Sequence, residues 1–279
     1  MAIDLHIHSN ASDGAFAPRE VVRHALSAGI RRIALTDHDT VDGIPEAMAA
    51  GAEMGVTVIP GVELSAETAD GRSAHILGYF IDVDDAELRE YLAHLRNTRL
   101  ERARKMVEAL TKAGMPVTLE DVIARAREGS IGRAHVALAL VDAGVVPNMG
   151  AAFSELIGRD KPYFVSRPVP EPQEVIATIR RAGGLAVIAH PAVSGIEDAI
   201  PALATTGLEG VEAYHSQHDA VTRRRLRDTA RALGLIVTGG SDFHGIVGSH
   251  AALGDGGTPD SAFDELITRA GDRATRLRA

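Results

Sequence analysis

The chain has 279 residues, 45% of them hydrophobic, and a formal net charge of −9 at pH 7. This length and apolar content suit one large α/β domain, or one domain carrying an insertion, while the acidic balance argues against stable duplex DNA binding. With no cysteine, disulfides and thiolate zinc sites drop out, and no run approaches the roughly 20 apolar residues that span a bilayer.

The chain enters a strand at Ile3–His8 without a signal peptide, so a cytoplasmic location is expected. Pro18–Ala28 reads as a helix stopped by Gly29, Ile33–Thr36 as a strand, and Ile44–Met54 as a helix stopped by Gly55. Val56–Ile59 and Ala74–Phe80 read as further strands. From about Asp85 to Gly158 the strand signal almost vanishes. A long charged helix over Ala86–Ala113 gives way to short helices near Leu119–Arg127, Ala134–Ala143 and Ala151–Leu156, punctuated by Gly114, Gly129, Gly144 and Pro147. The alternation then resumes. Helices near Pro172–Ala182, Glu197–Thr205 and Val221–Leu233 separate strands at Leu185–Ala189, Gly210–Tyr214 and Leu235–Thr238. This rhythm predicts a parallel sheet with crossover helices, closed or open. The expected organisation is a barrel of residues 1–84 and 159–279 interrupted by a helical insertion at 85–158.

Charge is unevenly spread. Arg96 to Arg167 holds twelve Lys/Arg against eight Asp/Glu, so that segment is +4 and the remainder −13. A basic module in an acidic body fits an anionic substrate held beneath a cap, although an Arg-rich helix surface gives the same count. Trp is absent and aromatic residues make up only 4%, which disfavours a stacking platform for single-stranded nucleic acid.

Two triplets carry the chemistry. His6-Ile7-His8 opens the chain and Asp242-Phe243-His244 lies near its end. At i and i+2 on a strand, each pair of side chains points to one face. Asp13, His38, Glu63, His75 and His190 are further candidates, and each is expected at or just beyond the C-terminal end of a strand, where an α/β barrel carries its site. Taken singly these residues have plain explanations: His75 reads equally as a core histidine and Glu63 as a capping or pairing residue. Jointly they make nine N or O donors without a thiolate, too many for one ion and suited to Mn²⁺, Zn²⁺ or Fe²⁺. Asp4, Asp37 and Asp39 stand near enough to orient the imidazoles.

In order, His6-Ile-His8, Thr36-Asp-His38-Asp39, Gly61-Val-Glu63, His190-Pro191 and Gly240-Ser-Asp242-Phe-His244 resemble the polymerase-and-histidinol-phosphatase (PHP) family of metal-dependent phosphoesterases. The resemblance implies a distorted (β/α)₇ TIM-like barrel and a trinuclear metal centre at its C-terminal face. It implies that His6, His8, Glu63 and Asp242 hold one ion, that Asp13, His38 and His244 hold a second, and that His75 and His190 hold a third with Glu63 bridging. Mn²⁺ is the expected ion, with Zn²⁺ or Fe²⁺ as alternatives. Three such ions outweigh the three ligand carboxylates, attract a phosphate, and bring a bound water toward its hydroxide form near neutral pH, which is the expected nucleophile.

Asp at position 13, in Asn10-Ala-Ser-Asp13-Gly14, is similar to the branch that acts on nucleoside 3′,5′-bisphosphates, as are the helical insertion and Ile131-Gly-Arg133-Ala-His135. Ala134 stands where that branch more often has Pro, and Arg159-Asp-Lys161 where a Gly often precedes the Lys. Arg133, His135, Lys161 and His215 are the expected substrate contacts, with His218 ranked behind His215. The expected activity is removal of the 3′-phosphate to leave a 5′-monophosphate. The alternatives are 5′→3′ hydrolysis of short 5′-phosphorylated RNA, histidinol-phosphate hydrolysis, and a non-catalytic metal-binding accessory domain. The expected partners are therefore a small nucleotide or short RNA, with no membrane.

Overall fold

A computed structural model describes residues 2–126, 129–245 and 251–278. Seven strands lie side by side in chain order: β1 (Ala2–Ile7), β2 (Ile30–Leu35), β3 (Thr57–Glu67), β4 (Ser73–Tyr79), β5 (Leu185–Ile188), β6 (Gly210–His215) and β7 (Ile236–Gly240). The helices are α1 (Pro18–Ser27), α2 (Ile44–Met54), α3 (Ala86–Lys112), α4 (Leu119–Ala126), α5 (Arg133–Asp142) and α6 (Met149–Ala151) before β5. They continue with α7 (Pro172–Arg181), α8 (Pro191–Ser194), α9 (Ile200–Ala204), α10 (Ala220–Ala232) and α11 (Asp260–Ala270). Among the described residues no helix is long and apolar enough to cross a membrane.

The sheet curls until its ends nearly meet. His8 N donates to Phe243 O at 3.0 Å and Asp242 N to His6 O at 2.9 Å, so the segment after β7 runs along β1. The closure is tight: a Cβ on Gly240 would lie 2.4 Å from the Cβ of His6, so only glycine fits there. The fold is thus the expected α/β barrel of seven strands.

The strands are not all parallel, which corrects one expectation. β3 pairs with β4, and β4 with β5, in antiparallel fashion. Pro60-Gly61 suggests a break, yet β3 runs through both to Glu67, changing partner from β2 to β4 at that point. A short turn containing Asp70-Gly71 then reverses the chain into β4. Consequently Glu63 lies within a strand and His75 near the start of one, rather than at C-terminal ends. Both still reach the mouth of the barrel, because β4 runs the opposite way.

Alternation divides the apolar side chains. Ile3, Leu5, Ile59, Leu77, Tyr79, Val187 and Ile236 fill the inner cluster, where Phe263, Leu266 and Ala270 of α11 join them. Ile7, Ile33, Leu35, Val62, Leu64, Ile76 and Val211 pack outward with α1, α2 and α7. Helix α11 was not among the expected elements, although Phe263, Leu266, Ile267 and Ala270 carry a helical period. Between β4 and β5, α3 joins two cores. Its first half places Leu88, Leu92 and Leu95 on the outer cluster; its second half packs Met106 and Leu110 with Val122, Val136, Leu140 and Ile157. Arg127, the expected end of the helix after α3, lies outside the described residues.

Candidate metal centre and the cavity beside it

A local irregularity aims the first ligands. Against β2, three steps of β1 from Asp4 to Ile7 face two from Ile33 to Leu35. This bulge reverses the alternation: Leu5 faces inward, Ile7 outward, and His6 and His8 turn into the barrel mouth. A second shift, between Glu212 and Tyr214 of β6, leaves Glu212 and His215 both fully buried. Glu63 and His75 need no such device, since Val62, Leu64, Ala74 and Ile76 beside them all pack outward. His38, His190, Asp242 and His244 follow β2, β5 and β7, and Asp13 lies in the loop after β1. His190 and Asp242 hold left-handed backbone at φ 29° and 57°, a conformation costly for non-glycine residues and retained where the surroundings fix it.

The structure brings all nine residues together around Glu63. Its Oε2 lies 3.3 Å from His6 Nε2, 3.3 Å from His8 Nε2 and 3.1 Å from His38 Nδ1. Its Oε1 lies 2.8 Å from His75 Nδ1 and 3.1 Å from His190 Nε2. Asp242 Oδ1 is 3.1 Å from His8 Nε2 and 3.5 Å from His6 Nε2, and His244 Nε2 is 3.3 Å from Asp13 Oδ1. Three sets have donor atoms within 4.8 Å of one another: His6, His8, Glu63 and Asp242; His8, Asp13, His38 and His244; and His38, Glu63 and His75.

These spacings fit metal ligation. Metal–N and metal–O bonds of about 2.0–2.2 Å put adjacent ligands roughly 3–3.5 Å apart. His6 Nε2, His8 Nε2, His38 Nδ1, Glu63 Oε2 and His75 Nδ1 are buried without a hydrogen-bond partner among the described residues, which interiors seldom tolerate. A cation between them would satisfy all five. The charges point the same way. Burial opposes a charged imidazole at His8, yet the Asp242 and Glu63 carboxylates beside it raise it to about 10. Burial also works against ionised Glu63 and Asp242, and the surrounding histidines nonetheless hold both carboxyls well below their usual range. At His38 burial wins and lowers the imidazole to about 3.

The expected orienting carboxylates bind backbone N–H, serine hydroxyl and arginine groups instead. Asp4 accepts from the N–H of His6, Ser241 and Gly254 at 3.3, 2.9 and 2.8 Å. Asp37 accepts from Ser9 N and Oγ, both at 2.7 Å, and from Ser12 Oγ at 2.6 Å, fixing the loop that carries Asp13. Asp39 accepts from Ser65 N at 3.0 Å and pairs with Arg99 and Arg167. Outside the nine candidates, a carboxylate that does meet an imidazole is Glu212, absent from the sequence expectations: its Oε1 lies 3.0 Å from His6 Nδ1. A buried acid in an apolar strand was the one available signal.

A cavity of about 270 Å³ opens from Asp13, His38 and His75 toward the helices between β4 and β5. Its walls include Arg99, Arg102, Arg133, Arg159 and Arg167, with Phe153 and Phe164. The Arg133 guanidinium sits 5.7 Å from the Phe153 ring and 5.5 Å from the Phe164 ring, and Arg159 pairs with Glu67 at 2.9 Å. Burial and the neighbouring arginines lower Arg102 to about 8. Of the four expected substrate contacts, Arg133 alone lines this cavity. His135 is buried, and its Nδ1 accepts the Gly132 N–H at 2.9 Å, capping α5. Lys161 is exposed outside the lining residues. His215 lies on the far side of the ligand cluster, with Nε2 3.7 Å from Asp242 Oδ2, and His218 is buried behind it against Ala213 O. Arg99 and Arg102 went unremarked in the sequence, although their spacing of three places both on one face of α3.

Comparison with known proteins agrees with this geometry. The PHP domain model matches residues 4–115. The chain is 37% identical over 246 residues to a 5′-3′ exoribonuclease of Haemophilus influenzae, covering 86% of this chain and 89% of that one. It is 36% identical over 271 residues to a 3′,5′-nucleoside bisphosphate phosphatase of Chromobacterium violaceum, covering 95% and 92%. A crystal structure from Bifidobacterium adolescentis, assigned to the metal-dependent phosphoesterases, superposes with a TM-score of 0.89 at 35% identity, covering 95% of each chain.

Proposed function

This chain belongs to the PHP-domain family of metal-dependent phosphoesterases, and on that premise we propose that it removes the 3′-phosphate of nucleoside 3′,5′-bisphosphates, releasing 5′-monophosphates. The observation that carries this reading is the cavity joined to the ligand cluster. Five arginines line it, and the acids paired with them are Asp39, for Arg99 and Arg167, and Glu67, for Arg159. Arg102 and Arg133 have no salt bridge among the described residues. A substrate with one phosphate at the cluster leaves those two guanidinium groups unmatched; a second phosphate in the cavity satisfies both.

In this reading His6, His8, Glu63 and Asp242 hold one ion, Asp13, His38 and His244 a second, and His75 and His190 a third with Glu63 shared. The donors suit Mn²⁺, with Zn²⁺ or Fe²⁺ as alternatives. Divalent ions bound there supply Lewis acidity to the phosphoryl group. The chain's own part is placement. Arg102 and Arg133 grip the 5′-phosphate, Phe153 and Phe164 hold the Arg133 plane, and Asp39 fixes Arg99 and Arg167 along the wall between the two phosphates. Residues 85–158 act as a cap that carries Arg99, Arg102 and Arg133 to the barrel mouth. His215 accepts Gln217 N–H at Nδ1, 3.2 Å away, and its Nε2 lies 3.7 Å from Asp242 Oδ2. There it steadies a ligand rather than gripping substrate.

The second reading, 5′→3′ hydrolysis of short 5′-phosphorylated RNA, is favoured by the 37% identical exoribonuclease. Both use the same 3′ P–O bond beside a 5′-phosphate. Phosphate release by Mn²⁺-loaded protein from adenosine 3′,5′-bisphosphate and 3′-AMP, beside cleavage of a 5′-phosphorylated dinucleotide, separates them. The bisphosphate should turn over at least about tenfold faster than 3′-AMP, the worth of one charged hydrogen bond. Hydrolysis of the dinucleotide alone would establish the second reading.

A further inference from the structure

We propose that Glu212 is a positioning residue for the metal centre, locking two ligands that come from opposite parts of the barrel; this rests on the metal-binding reading above. Glu212 is fully buried on β6. Its Oε1 lies 3.0 Å from His6 Nδ1, and its Oε2 accepts the backbone N–H of His190 at 2.8 Å. On their other edges the same two histidines face Glu63, His6 Nε2 at 3.3 Å and His190 Nε2 at 3.1 Å. Their rings stack, with centroids 5.6 Å apart and planes inclined by 16°. Glu63 and Glu212 therefore bracket the His6 ring, one on the ligand side and one behind, while His190 is held by Glu63 at its ring and by Glu212 at its backbone N–H.

The bonds from Glu212 do different work. A carboxylate facing Nδ1 favours the proton there and leaves the Nε2 lone pair of His6 free for an ion. The second bond holds the backbone of His190, whose φ of 29° is strained for a residue with a side chain. Only a carboxylate accepts on both oxygens. Gln at this position offers one acceptor oxygen and one NH₂ donor, so either His6 Nδ1–H or His190 N–H must face a donor. Glu212→Gln is nearly isosteric and removes one of the two bonds. Metal retention should fall for the ions that use His6 and His190, while the set of Asp13, His38 and His244, which Glu212 does not touch, keeps its affinity.

The test is equilibrium metal retention by wild type and Glu212→Gln against a graded chelator, with Mn²⁺ counted by mass spectrometry and unfolding followed in parallel. Wild type should retain more than one ion. In the variant one or two ions should be lost at a chelator concentration about 10–100-fold lower, the usual effect of removing such a partner. One ion should remain, and activity should recover at high Mn²⁺. Unchanged retention in the variant overturns the proposal. Failure of wild type to bind any ion overturns the metal-centre reading itself. A wild-type measurement covers the case of a variant that does not fold: in Zn²⁺-loaded protein, long-range ¹H–¹⁵N NMR should find His6 protonated at Nδ1. Protonation at Nε2 would contradict the assignment.

Discussion

His8 Nε2 and Asp242 Oδ1 lie 3.1 Å apart across the seam where β1 meets the segment after β7. Closing the barrel therefore assembles the candidate metal centre, since neither end of the chain holds a complete candidate ligand set. Asp242 also sits in the left-handed region, which Asn tolerates. Asp242→Asn should keep the fold, lose bound metal and lower phosphatase turnover by at least about 100-fold. Metal analysis and circular dichroism on the same sample check this, and retained metal with normal turnover would remove Asp242 from the centre.

Protons and metal ions compete for the same nitrogens. The ionised carboxylates of Asp242 and Glu63 outweigh burial at His8 and raise it to about 10, so at neutral pH the chain alone holds a proton there. His38, lowered to about 3, is already neutral and contributes none. An imidazole binds metal only when deprotonated, so binding should release protons, and apparent affinity should rise about tenfold per pH unit for each proton displaced. Calorimetry in two buffers of different ionisation enthalpy measures the release. Affinity that is flat from pH 6 to 8 would contradict it.

Asp39 is the link between ligand cluster and cavity. Its N–H donates to Glu63 O at 3.0 Å, and its carboxylate faces Arg99 and Arg167. Burial pushes that carboxyl up, but the two guanidinium groups hold it below the usual value. Ionised Asp39 therefore stabilises the fold above its unfolded pKa, and the contribution is lost as pH falls through the lower folded value. Asp39→Asn should cost roughly 3 kcal/mol at pH 7, because two buried arginines lose their counter-charge. Urea unfolding of both proteins across pH should show the gap closing in acid. A gap that is constant or absent would refute the pairing.

Much of this was legible in the sequence because ligands announce themselves by type. Two i, i+2 pairs and five more N or O donors are difficult to place otherwise, and they pointed to a candidate metal centre before any fold, which the structure brings into one cluster. The direction of β4 was legible too: Asp70-Gly71 between two apolar runs is a hairpin signal, and it was passed over for the surrounding βα rhythm. Glu212 was not. It meets His6 across 206 residues of sequence, and only barrel closure together with the β6 bulge gives it meaning. Proximity in sequence misled in the other direction for Asp4, Asp37 and Asp39, whose short side chains bind nearby backbone or the cap rather than the neighbouring rings. For the arginine wall the charge count stood between a substrate cap and a solvated surface, because helix α3 looks solvated throughout, whereas Arg99 is only 5% exposed.

The central claim is that one site reads two phosphates, and the substrate dependence of Arg102→Ala and Arg133→Ala tests it most directly. We would measure kcat/KM for adenosine 3′,5′-bisphosphate and for 3′-AMP in wild type, both single variants and the double variant. The account predicts that the double variant loses at least about 100-fold on the bisphosphate and less than about threefold on 3′-AMP, the difference expected when charged hydrogen bonds to the second phosphate are removed. Equal losses on the two substrates would contradict it and return both arginines to a structural role.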